Sequence, residues 1–126
     1  MYFTPGIIVQ QPFATLIVLG FKREEYLAHD IRHRGRLMIQ AGQAPPVANW
    51  DTRKQVARAL KAIQAAGFES FADLPRGVVI GAVNLVDVKE HHGGGLNRFR
   101  WILTSPEMFS NPGPGVRVLF YGNAGK

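Results

Sequence analysis

The chain has 126 residues, 46% of them hydrophobic and 19% charged, the make-up of a globular domain able to bury a core without staples. It has no cysteine, which excludes a disulfide framework, a thiolate metal site and a cysteine nucleophile, and fits the cytoplasmic location expected for it. A net charge of +6 and a pI near 10.2 favour phosphate-rich or other anionic partners.

In chain order, Ile7-Ile8-Val9 reads as a short opening strand. "QPFATLIVLG" follows, with Pro12 at a first helical position and Gly20 where a helix would stop. Its apolar run, Phe13 to Leu19, is too short to span a bilayer, and no basic segment precedes it as in a signal peptide. A buried helix is expected, and no membrane partner. Between Lys22 and Arg36 lie five Lys/Arg, two His and three acids. Phe21 to Tyr26 reads as extended. Arg34 to Ala41 reads as a strand entered through Gly35 and ended by Pro45 and Pro46, which cannot continue a ladder.

The clearest helix is "DTRKQVARALKAIQAAG", with Asp51 as N-cap and Gly67 as stop. Val56, Leu60 and Ile63 form its apolar stripe, and Lys54, Arg58 and Lys61 a solvated opposite face. "GVVIGAVNLVDV" is apolar enough for a core strand, with Gly81 marking a bulge or bend. "RFRWILT" alternates, Arg98 and Arg100 on one face and Phe99, Trp101 and Leu103 on the other. "VRVLFYG" closes the chain, and "KEHHGGG" and "SPEMFSNPGPG" read as loops. The sum is a single α+β domain over residues 1–126: five or six short strands with one medium and one short helix. Such sheets hide their edges by closing, so a compact β-barrel plugged by helices is expected.

Lys22 and Glu25 are the first candidates for chemistry. On a strand, positions three apart face opposite ways, so the two converge only if a turn intervenes. Together they offer an ammonium for a phosphate or carbonyl beside a carboxylate base; apart, they are a surface ladder of little energy. His29, His33, His91 and His92 lie far apart in sequence and form no HExxH, so no metal is expected. Gly93-Gly94-Gly95 lacks the ending of a phosphate loop, and Ser70, Ser105 and Ser110 lie in no Gly-x-Ser-x-Gly setting. Tyr26, Phe99, Trp101 and Tyr121 could stack on bases, although Trp101 in an alternating strand suits the core. Arg98 and Arg100 suit contacts with a nucleic-acid backbone.

"QPFATLIVLGFKREEY…RGRLMIQAG" resembles the opening of ASCH domains, named for homology to an activating signal cointegrator. The matching residues are Gln11, Pro12, Ala14, Gly20, Lys22, Glu25, Arg34, Gly35, Leu37 and Ile39. "GVVIGAVNLVDV" is similar to the family's next core strand, and "WILTSPEMFSNPGPG…LF" to its close, so the resemblance runs from about Ile7 to Tyr121. It implies a small PUA-like β-barrel without a cofactor. It also implies a basic cleft for RNA, other single-stranded nucleic acid or a nucleotide-like ligand, lined by Lys22, Arg23, Glu25, Arg34 and Arg36, with Arg98 and Arg100 beside it. Some members of the family are amidohydrolases of acetylated cytidine and others are reported ribonucleases. In an enzyme of that kind Lys22 and Glu25 would be the catalytic pair, with Glu90 loosely matching a remote Glu. Glu25, however, stands where the amidohydrolase pattern has Thr. Two further departures are Phe13 for a Trp and Leu27 for an Arg, with Arg23, Arg34 and Arg36 as candidates to replace that cation. The expectation is binding rather than catalysis.

Overall fold

A six-residue helix that is apolar on nearly every side persists only if it is surrounded, and here the rest of the chain surrounds it. The computed structural model describes residues 4–47, 50–93, 95–113 and 118–124, with Thr4, residues 112–113 and residues 118–124 described by their backbone alone. The elements are β1 (Thr4–Val9), α1 (Phe13–Val18), β2 (Glu24–Leu27), β3 (Gly35–Ala41), α2 (Arg53–Ala65), a short 3-10 turn (Phe71–Asp73), β4 (Val79–Glu90), β5 (Phe99–Gly113) and β6 (Val118–Ala124). Residues 14–18 of α1 are all buried. Ala14, Ile17 and Val18 enter a core built from Ile7, Val9, Leu37, Ile39, Ile80, Val83, Leu85, Trp101 and Leu103 of the sheet. Leu16, on the opposite side, packs with Ala59, Ile63 and Leu74 beneath α2. The amphipathic α2 thus covers the second face of the apolar plug.

The strands form one six-stranded sheet in the order β2-β5-β4-β3-β1-β6. β1 pairs in parallel with β3 and β6, and the other ladders are antiparallel. The outer strands β2 and β6 approach one another, so the sheet curls into a barrel-like shell around α1. This is the α+β, barrel-like architecture the strand pattern predicts.

Gln11, from the Gln-Pro pair, is fully buried and ties the start of α1 in place. Its Oε1 accepts from the Thr15 backbone N–H at 3.0 Å and its Nε2 donates to the Pro75 carbonyl at 2.9 Å. At Gly81 the β4–β5 register shifts, as the bulge reading expects. A Cβ there would lie 2.6 Å from Val18 Cγ1 and collide with the Glu107 carbonyl, so only glycine lets α1 lie this close to the sheet.

Several boundaries differ from the sequence reading: β1 begins at Thr4, Pro12 is the N-cap of α1 and not its first residue, β2 spans Glu24–Leu27, and β4 runs on through Lys89 and Glu90, which read as loop. The α2 N-cap is Thr52, whose hydroxyl accepts from Gln55 N–H at 3.2 Å, while Asp51 caps Thr52 itself at 2.7 Å. "SPEMFSNPGPG" is not a loop as far as Gly113, because β5 continues through it. The proline is tolerated because Ser105 and Pro106 lie in a bulge: Asn84 pairs with Thr104 and Ala82 with Glu107, leaving the two residues between them opposite Val83. Ser105 takes a left-handed φ of 50° there. Val116, Arg117 and the Tyr121 side chain lie outside the described residues.

Candidate functional site

The chain leaves α1 through Gly20, whose φ of +79° reverses its direction. Lys22 N–H then bonds back to the Leu16 carbonyl at 3.0 Å, and Leu103 N–H donates to the Arg23 carbonyl at 2.9 Å. Strand β2 begins only at Glu24, so Lys22 precedes the strand and the opposite-face rule does not reach it. Lys22 Nζ meets Glu25 Oε1 at 3.1 Å and donates to the Glu24 carbonyl at 2.6 Å. Glu25 points inward, across the ladder from Trp101, and is 8% exposed. The same Oε1 accepts from the Tyr26 N–H at 3.0 Å. The Phe13 ring, where the resemblance has Trp, lies 5.9 Å from Lys22 Nζ and edge-on to Trp50 with centroids 5.1 Å apart.

Beside this pair a pocket of about 210 Å³ opens between the 20–23 turn and the β5 bulge. Ile17, Val83, Leu103 and Pro106 supply its apolar surface, and Lys22, Arg23, Thr104 and Ser105 its polar groups. An apolar floor with a few convergent polar groups is the usual form of a small-ligand site. Among the described residues Arg23 reaches only the Gly20 carbonyl, at 3.4 Å, and is in no ion pair. Thr104 and Ser105 were missed in the sequence. The signal for them was Pro106, which interrupts an alternating strand and so marks a bulge.

The other candidate residues lie elsewhere. Arg34 bonds the Ile31 and His33 carbonyls at 2.7 and 2.9 Å and approaches Asp87 at 3.7 Å. Arg36 alternates with the core residue Leu37, so it faces outward, pairing with Glu107 at 3.1 Å and lying 5.8 Å from the Phe109 ring centroid. Arg100 faces outward opposite Tyr26 and pairs with Glu24 at 3.5 Å. Tyr26 donates to Glu24 at 3.2 Å and lies 5.0 Å from the His91 ring. Burial first, then the hydrogen bond to the Glu24 carboxylate, hold its phenol above the usual range. Arg98 is exposed at the mouth of the β4–β5 hairpin. The structure therefore joins Lys22, Arg23 and Glu25 and distributes the remaining arginines over other surfaces.

Leu27, where the resemblance has a second cation, is 2% exposed in the core. Of the three arginines that could replace that cation, Arg23 is the one in the pocket wall; Arg34 and Arg36 are engaged with Asp87 and Glu107. Glu90 lies opposite Phe99 at the far end of β4, exposed and 4.0 Å from His92, whereas Lys22 adjoins the Glu24–Ile102 end of the ladder. Trp101 is 0% exposed and its Nε1 donates to the His29 carbonyl at 2.9 Å, so it is core and not a stacking platform. Among the described residues no three His, Asp or Glu side chains cluster as metal ligands, and no helix is long and apolar enough to cross a membrane.

No family model matches the chain. It is 35% identical over 79 residues to human "Activating signal cointegrator 1", a match that takes in 63% of this chain and 13% of that protein's length. Over those 79 residues the chain is similar to activating signal cointegrator 1, of which it spans only a small part.

Proposed function

We propose that the chain binds single-stranded RNA, or a nucleotide-like unit of it, in the pocket between the 20–23 turn and the β5 bulge. The observation that carries this reading is the composition of a pocket of about 210 Å³: an apolar floor, two hydroxyl-bearing residues, and cations from Lys22 and Arg23. A base would rest on Ile17, Val83, Leu103 and Pro106. Thr104 and Ser105 would offer hydrogen bonds to it, and Arg23 would meet a phosphate. Lys22 already shares its charge with Glu25, so its ammonium acts chiefly to keep a buried carboxylate in place. Kinship with an activating signal cointegrator supports a nucleic-acid-related role in general terms.

The geometry supports binding better than hydrolysis. Glu25 stands where the amidohydrolase pattern needs a hydroxyl, its carboxylate is committed to Lys22 and the Tyr26 N–H, and Glu90 lies at the hairpin end. A fluorescence anisotropy titration with single-stranded RNA tests the reading. Arg23→Ala is expected to weaken binding roughly tenfold and to lower the log–log salt slope by about 0.7, the loss of one phosphate contact. Arg36→Ala, on the outer face, is expected to leave both unchanged. Equal losses in the two variants, or none in Arg23→Ala, would remove the pocket from the account.

A further inference from the structure

Of the five cations between Lys22 and Arg36, only Arg23 and Arg32 are in no ion pair among the described residues. Lys22, Arg34, Arg36 and Arg100 each face a carboxylate. Helix α2, in contrast, carries Arg53, Lys54, Arg58 and Lys61 and no acid, and all four are exposed. Among the described residues none of the four is in an ion pair; the neighbouring acids are Asp51 before the helix and Glu69 beyond its end.

These cations are also aligned with the pocket. Lys54, Arg58, Lys61 and Ala65 follow one another at helical spacings of four, three and four, which places them along one side of α2. At its C-terminal end, Ala62, Ala65 and Ala66 form a shallow groove with Leu19, Gly20 and Phe21. Gly20 also lines the binding pocket, so groove and pocket share a wall. Phe21 stands in that shared turn with 40% of its surface exposed, an unusual place for a large aromatic. A row of cations, an exposed ring and a pocket with cations of its own form the combination by which sequence-tolerant single-strand sites hold a chain: charge along the backbone and a ring for a base.

We propose that a single-stranded nucleic acid seated in the pocket continues over Phe21 and along α2, its phosphates meeting Lys61, Arg58 and Lys54 in turn. This rests on the pocket reading above and adds a track of roughly 16 Å at about 1.5 Å per helical residue from Lys54 to Ala65. Dinucleotides would fill the pocket alone, and longer strands would use both. The test compares a dinucleotide with an oligonucleotide of about twelve residues, within the span of small single-strand domains, on the intact chain and on Lys54→Gln/Arg58→Gln/Lys61→Gln. The triple variant is expected to lose at least roughly tenfold in affinity for the longer strand and about 2 from its salt slope, three contacts at about 0.7 each. Its dinucleotide affinity should be unchanged, which also reports an intact fold. Phe21→Ala should weaken the longer strand roughly fivefold or more, as loss of one stacked base does. If the triple variant holds the longer strand as wild type does while Arg23→Ala still weakens the dinucleotide, the track is wrong and the pocket stands. If Arg23→Ala leaves the dinucleotide unaffected, both fall. A loss confined to phosphatidylserine vesicles, with RNA affinity intact, would overturn the track in favour of a membrane surface.

Discussion

Trp101→Ala is expected to destabilise the fold by about 3–5 kcal/mol, the range for deleting a large buried aromatic, and to abolish ligand binding as the site loosens. Its indole is fully buried, lies between Glu25 on β2 and Val88 on β4 in the ladder, and donates to the His29 carbonyl. Removing it leaves a cavity in the main core, an unpaired carbonyl in the 28–33 segment and no floor beneath Glu25. Trp101→Phe keeps most of the apolar volume and should cost roughly 1–3 kcal/mol, the hydrogen bond and part of the packing. Urea denaturation followed by far-ultraviolet circular dichroism reads both. A loss under about 1 kcal/mol for Trp101→Ala would mean the barrel does not close around this ring.

The second large effect is expected from one methyl group. Gly81→Ala drives a carbon against Val18 and the Glu107 carbonyl, and neither neighbour is the free end of a long side chain. Either α1 lifts from the sheet or the β5 bulge shifts, at a cost of about 3 kcal/mol and a fall in melting temperature of roughly 10 °C. Both responses deform the pocket, since Ile17 and Val83 adjoin the displaced residues and Pro106 belongs to the bulge. Gly67→Ala is the matched control. Gly67 has a left-handed φ of +102° but open space around it, so the same methyl should cost only about 1 kcal/mol of backbone strain and leave binding intact. Comparable losses at the two glycines would show that the close approach of α1 is not what Gly81 provides.

These two positions show why much of the fold was legible in the sequence. The alternation of Phe99, Trp101 and Leu103 against Arg98 and Arg100 carries its own inside and outside, and the apolar run around Gly81 could only be core. Gly20 and Gly67 are found where their positive φ is needed, so the helix stops could be read directly. The helix start slipped by one residue because Asp51 and Thr52 are both good caps and only the three-dimensional path decides between them. The extension of β5 was hidden by its prolines, which argue against a ladder unless a bulge absorbs them.

The site was legible in part, for a definite reason. Lys22 and Glu25 could be named as a pair from their resemblance to a family turn, but strand parity argued against their meeting; contact depends on Gly20 and on the Lys22–Leu16 backbone bond, which precede the strand. The arginines around them are close in sequence and dispersed in space, because a strand such as β3 sends Arg36 outward when Leu37 goes in. Charge density along a chain does not report pairing. Arg34 and Arg36 are opposed by Asp87 and Glu107, which come from β4 and β5, 50 or more positions away in sequence. The unopposed cations of α2, by comparison, look like an ordinary solvated helix face until the groove at Phe21 links them to the pocket.

The central claim, that the pocket beside Lys22 and Arg23 is where the ligand binds, is tested most directly by amide chemical-shift mapping with a short single-stranded RNA. The expected result is saturable movement of the backbone amides of Ile17, Gly20, Lys22, Arg23, Thr104 and Ser105, the residues that bring the α1 turn and the β5 bulge together. Movement confined to the outer face, at Tyr26, Arg36, Asn84 and Arg100, with the pocket amides still, would contradict it.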